Sequence, residues 1–219
     1  MTDGKAIRIL LLMLAAVIVQ TGRGEEGTPS KMFHTVVQMS GTGIDPTSFA
    51  AKPKIYWRAS NKYCRVDEES DAEHGIHGRL IVNEPDIWMV NLVDNSARHI
   101  VDPGPTFNCK VPIFAFDQET AKSKVGELEF GHELEFFRAN GAKLIDGPKL
   151  DFKSKYYELT IDGSDLRLVE REDIHAPILV ALKKGDKVFQ VRYLLWDDNV
   201  PFKSDLFSKP MGVTIGEAQ

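Results

Sequence analysis

The hydrophobic pattern opens on an unbroken apolar run and then turns to alternation over most of the chain. Residues 9–19 are unbroken apolar, preceded by Lys5 and Arg8 and followed by Gln20, Thr21 and a glycine-containing stretch to Gly24. A cationic start, a short apolar core and small residues give the order of a secretory signal peptide. These eleven apolar residues rise only about 16 Å as a helix, against about 30 Å of bilayer hydrocarbon, so a membrane anchor is the poorer reading. Gly22 and Gly24 suit the −3 and −1 positions of a cut before Glu25. The sequence is therefore expected to divide into a signal peptide, 1–24, and a single folded domain, 25–219.

Beyond residue 30 the period is two, the signature of half-buried strands. Phe33, Thr35, Val37 and Met39 make one face of a first strand, and Ile55 and Trp57 alternate with Lys54, Tyr56 and Arg58. Short runs follow at 63–66, 79–82, 87–93 and 97–101. Polar breaks separate them, including Ser60-Asn61 and Asp94-Asn95-Ser96. This spacing predicts an antiparallel meander, ended by Asp102-Pro103-Gly104-Pro105, whose prolines cannot donate to a ladder. Residues 118–140 are ambiguous. The pairs around Glu127–Phe130 and Glu133–Phe136 alternate, yet Val125, Leu128, Leu134 and Phe137 also fit a helical face before Asn140-Gly141. A helix is the reading adopted. A second β region starts near Ala142. It carries hairpin turns at Asp162-Gly163-Ser164 and Lys184-Gly185-Asp186, and a long last strand with Phe189, Val191, Tyr193 and Leu195 on one face. No linker divides the two β regions.

Composition sharpens this picture in three places. A hydrophobic share of 42 % and a charged share of 27 % are those of a folded globular chain. Lys+Arg 27 against Asp+Glu 32 gives a net charge of −5, which argues against general nucleic-acid binding. Removing residues 1–24 takes away Lys5, Arg8, Arg23 and Asp3 and leaves −7. Two cysteines are too few for a disulfide-built scaffold or an all-cysteine zinc site. In an oxidising compartment Cys64 and Cys109 can pair, and two separately buried thiols are the alternative.

The candidate chemistry is thin. His132-Glu133-Leu134-Glu135-Phe136 lacks the second histidine of the His-Glu-x-x-His zinc motif, so its charges read as the solvated face of an amphipathic helix. His74 and His77 beside Asp71 and Glu73 read as a solvated loop without further ligands. Asp67-Glu68-Glu69 reads as a solvated charge run, since it lacks a calcium loop's alternating oxygens and central glycine. Gly41-Thr42-Gly43 lacks the Lys and hydroxyl of a phosphate loop. No catalytic, cofactor-binding or metal-binding residue is assigned, no cofactor is expected, and the protein is read as not an enzyme. Trp57, Trp88, Trp196, Tyr156 and Tyr193 fall on predicted strands, either as core or as the lining of a cavity.

Two segments resemble the periplasmic lipoprotein-carrier superfamily (LolA/LolB-like). One is Ile81-Val-Asn-Glu-Pro-Asp-Ile-Trp-Met-Val-Asn-Leu92, continued over 97–103, which is similar to a strand–turn–strand unit of that group. The other is Val191-Arg-Tyr-Leu-Leu-Trp-Asp-Asp-Asn-Val-Pro-Phe202 with Asp205-Leu-Phe207 and Pro210-Met-Gly-Val-Thr-Ile215, which looks like a closing unit of such domains. The resemblance implies a mainly β (α+β) fold: a curved antiparallel sheet forming an incomplete barrel around one or two helices, with an apolar concave face. With the export segment, it implies a periplasmic or secreted envelope protein that meets a membrane only during export. The function expected is non-catalytic binding of a lipid, a lipoprotein acyl chain or another apolar ligand. The alternative is an envelope protein–protein interaction or structural module with a filled core.

Overall fold

The computed structural model describes residues 27–104, 109–114 and 117–216. The expected signal peptide lies outside the described residues. Twelve strands form: β1 (Lys31–Gly41), β2 (Lys54–Ala59), β3 (Tyr63–Glu68), β4 (Gly78–Asn83), β5 (Asp86–Asn91), β6 (Ser96–Val101), β7 (Lys143–Ile145), β8 (Ser154–Ile161), β9 (Ser164–Arg171), β10 (Ala176–Lys184), β11 (Lys187–Pro201) and β12 (Thr214–Gly216). Hydrogen bonding links them in the order β12-β6-β5-β4-β3-β2-β1-β11-β10-β9-β8-β7. The protein is mainly β, as expected, and the ladder is open, with β12 and β7 as its end strands. The described residues pack as two compact units.

The first unit takes described residues from Met1–Thr35, Lys54–Val111 and Asp197–Gln219. The predicted meander forms here, as hairpin-linked strands β2 to β6. Cys64, Val82, Ile87 and Ile100 line up across four strands, and Arg65, Ile81, Trp88 and His99 make the next row, on the other face. Both faces are covered. Cys109 and Val111 pack against Cys64, Val82 and Ile87, while Val213 packs against Ile81, Trp88, Val90 and Ala97. Ile87, Trp88, Met89 and Val90 are consecutively buried for this reason, as in any strand covered twice. The closing segment supplies a 3₁₀ turn, Ser204–Phe207, whose Phe207 is sealed among Met32, Ala59, Trp57, Tyr63 and Phe202. Strand β12 pairs with β6 in parallel, an exception to the antiparallel rule.

Of the acidic run Asp67-Glu68-Glu69, Glu69 is exposed as expected, whereas Asp67 and Glu68 are sheltered by paired cations. Asp67 is clamped by Arg65, whose Nε and Nη2 donate at 2.7 and 3.1 Å, and by Arg79 Nε. Glu68 lies 3.6 Å from Lys54 with both side chains nearly buried. Burial pushes the Glu68 carboxyl up and the Lys54 ammonium down, each opposed by the other's charge. As neighbours on β3 the two acids leave by opposite faces, and pairing with a cation makes each placement tolerable.

The second unit comprises Val36–Pro53 and described residues of Pro112–Trp196. Strands β7 to β11 form an antiparallel run. Leu159, Leu166, Leu168, Val180, Leu182 and Val191 are buried on it. Asp162 and Gly163 both take left-handed angles, with φ of 48° and 69°, and close the β8–β9 hairpin at the Ile161–Ser164 pair. That geometry is a two-residue type I′ turn, which matches strand twist. The expected single helix over 118–140 is corrected to three pieces: α1 (Gln118–Lys122), a 3₁₀ turn (Lys124–Glu127) and α2 (Glu133–Ala139). A local reason is visible in the hydrogen bonds. Ile113 N donates to Leu128 O at 2.8 Å, and Pro112 bridges Glu129, which draws the chain out between the helices. At the preceding turn a Cβ on Gly126 would strike the Ala121 carbonyl, so only glycine fits. Val125, Leu128 and Phe137 are buried as a helical face would require, although by separate turns.

Candidate functional site

Four segments of the second unit line a partly open cavity of about 250 Å³. Its roof is the excursion between β1 and β2, which local hydrogen bonds fold back over the sheet. At one end Thr42 N donates to Val188 O at 2.7 Å, and Val188 N donates to Thr42 Oγ1 at 3.0 Å. In the middle the Asp45 carboxylate accepts the Thr47 N–H and hydroxyl at 2.8 and 2.7 Å. Those two bonds hold its pKa below the ordinary carboxylate value. A 3₁₀ turn, Phe49–Ala51, follows. Gln38 Nε2 then ties this turn to β1 by donating to Ala51 O at 3.0 Å.

The floor belongs to β10 and β11. Leu179 stands opposite Arg192 in register, and Gln190 is two residues along on the same face. The other face of these strands carries the fully buried Val180 and Val191. The cavity therefore lies on the face away from this unit's strand core. Met39, Ile44, Pro46, Ala51 and Leu179 give it an apolar lining, and Gln38, Ser40, Gln190 and Arg192 give it polar groups. No acidic residue lines it. Gln190 and Arg192 alternate with the apolar face Phe189, Val191 and Tyr193 of the last strand, a pattern that by itself marks a solvent-facing side. The available signal was residues 178–182, apolar on both faces, which marks a strand covered on both sides.

A second hollow, about 600 Å³ and open to solvent, is lined by Leu144 to Tyr156 alone. Tyr156 folds the loop over by donating to Pro148 O at 2.7 Å. Of the other four aromatics singled out on strands, Trp88 and Tyr193 are buried, and Trp57 and Trp196 are half-buried. Strand aromatics thus supply both core and cavity wall.

Two carboxylates are sealed in the second unit. Glu133 was expected on a solvated helix face, and it is instead 1 % exposed. Tyr193 donates its hydroxyl to Oε1, and Gly131 N lies 3.1 Å from both oxygens. Burial pushes its pKa up to about 7, against the lowering effect of those donors. Glu170 is also fully buried, yet burial is outweighed there. Tyr157 donates at 2.7 Å, His175 Nδ1 lies at 3.0 Å, and Arg138 and Lys155 add positive charge, so its pKa falls below the usual value. Neither carboxylate lines either cavity. His132 pairs with Glu135 at the surface, and the exposed His74 pairs with Asp71, whose side chain is buried. Among the described residues no group of three or more metal-ligating side chains assembles. Cys64 and Cys109 lie at bonding distance, with Cα atoms 6.1 Å apart, inside the span a disulfide bridges.

No protein-family model and no curated protein matches the chain. Solved structures do, at low identity. An uncharacterized conserved protein from Thermus thermophilus is 9 % identical, with 98 % of this chain and 100 % of that chain covered and a TM-score of 0.49. MucB, solved in the Pseudomonas aeruginosa MucA/MucB complex, is 10 % identical, with 82 % of this chain and 56 % of that chain covered and a TM-score of 0.41. A LolA superfamily protein from Nitrosomonas europaea is 10 % identical, with 93 % of this chain and 97 % of that chain covered and a TM-score of 0.32. The LolA superfamily named in the last of these is the group that two segments of the sequence resemble.

Proposed function

We propose that this chain is an exported, non-catalytic binding protein of the bacterial envelope, and that it takes an apolar ligand between Ile44 and Leu179. The observation that carries the reading is the pocket on the sheet face away from the strand core, where Met39, Ile44, Pro46, Ala51 and Leu179 gather into an apolar wall. A roof stapled at Thr42 and at Gln38 fixes the lining in place, so little ordering cost attends binding. The expected signal peptide and the apposed Cys64 and Cys109 fit an oxidising compartment. Calorimetry with a series of n-alkanols tests it. Affinity is expected to rise about fourfold per methylene, the equivalent of about 0.8 kcal/mol, until the cavity is full. Leu179→Gln should flatten the series. Equal, weak binding of every chain length to both proteins would overturn the reading.

A second reading, a protein-interaction module, rests on Leu144. This side chain is 64 % exposed on the end strand β7, beside the open hollow. End strands present unpaired backbone groups to a partner strand. On this reading Leu144→Lys abolishes cross-linking to an envelope partner that Leu179→Gln retains. Loss of the partner in Leu179→Gln instead would assign it to the cavity.

A further inference from the structure

We infer that the ligand of the Ile44–Leu179 cavity is an anionic amphiphile whose head group pairs with Arg192. The inference rests on the binding function proposed above and adds the charge of the ligand. Nine residues line the cavity, and Arg192 is the single ionic group among them. Its guanidinium has no hydrogen-bond, ion-pair or ring partner among the described residues. The other arginines with carboxylates nearby in this unit set the comparison. Arg167 is paired with Glu158 at 2.9 Å, Arg171 with Asp173 at 2.9 Å, and Arg138 lies 3.9 Å from Glu170. The chain carries more acids than bases, so a lone guanidinium is no consequence of scarce partners.

The acid nearest in sequence to the cavity lining is Asp45, between Ile44 and Pro46, and its carboxylate is turned into its own loop by Thr47. Leu179 stands directly across the strands from Arg192. Apolar contact and positive charge therefore adjoin, which suits a chain ending in an oxyanion. Gln190, on the same face, offers an amide donor to the same head group. A guanidinium presents paired donors that match a carboxylate or phosphate. One cation and about 250 Å³ fit a single head group with a short chain, smaller than most drug-sized ligands.

Decanoate and 1-decanol share a chain and differ in head-group charge, so titrating both at about pH 8 separates the two proposals. Decanoate is expected to bind roughly tenfold more tightly than decanol, with the advantage shrinking as salt is raised. Arg192 is exposed, so its replacement leaves the buried core intact. Arg192→Gln should close the gap to under about twofold, and Arg192→Lys should restore part of it. Vesicles of phosphatidylglycerol, against phosphatidylcholine, then distinguish a membrane lipid from a free amphiphile as the source of the head group. Equal binding of decanol and decanoate, unaffected by Arg192→Gln, would overturn the anionic ligand and leave the apolar site standing. Binding of neither would overturn both.

Discussion

Reduction of a Cys64–Cys109 disulfide is expected to lower unfolding free energy by about 4 kcal/mol, from the chain-entropy relation for a sequence separation of 45. The bond would tie β3 to a segment with little regular structure of its own. Cys109 is otherwise held by a backbone bond from its N–H to Asn61 O at 2.8 Å, and by contact with the apolar row of Cys64, Val82 and Ile87. Without the cross-link, Cys109 and Val111 would cover that row with these weaker ties alone. Urea titration with and without reductant measures the difference, and the double variant Cys64→Ala/Cys109→Ala should reproduce the reduced curve. Identical midpoints under both conditions would show two buried thiols instead of a bond.

Glu133 should make stability fall as pH rises. Its carboxyl titrates at about 7 in the folded chain, against an ordinary value of 4.5. Below about 4.5 both folded and unfolded chains hold the proton, and the contribution is complete. Between about 4.5 and about 7 the folded chain keeps a proton that the unfolded chain has released, so stability declines. The full loss amounts to roughly 3 kcal/mol. Glu133→Gln removes the titration while keeping an oxygen to accept from Tyr193. Its stability relative to the natural chain should therefore improve by that amount between about pH 4 and about pH 8, as read by urea unfolding across the range. A difference independent of pH would place the ionised carboxylate comfortably in its site and refute the assignment.

Much of the fold was legible because strand burial has period two. The alternation at Phe189–Tyr193 and the turn chemistry of Asp162-Gly163 needed no tertiary information, whereas on β2 the buried set is Lys54 and Tyr56, with Ile55 and Trp57 half-buried. Periodicity fails where covering comes from far along the chain. Ile87 to Val90 are buried on both sides because Cys109, Val111 and Val213 return over them, and nothing near β5 announces that. The candidate site was least legible for the same reason. Gln190 and Arg192 are solvent-facing residues of a strand, and only the Thr42–Ala51 excursion makes their face one side of a pocket. Local charge misled at Glu133 and Asp67, where Tyr193 and the arginine pair supply partners that a polar sequence pattern cannot show.

Local sequence sufficed for the strand-rich class, the meander, the hairpin turns and the apolar positions, because these depend on neighbours within a few residues. Long-range packing set the break in 118–140, the parallel docking of β12 on β6, the burial of Glu133 and the cavity beside Arg192. Each of those depends on which distant backbone or side chain arrives to satisfy a hydrogen bond, a charge or an apolar surface, and that pairing is fixed only when the chain has folded.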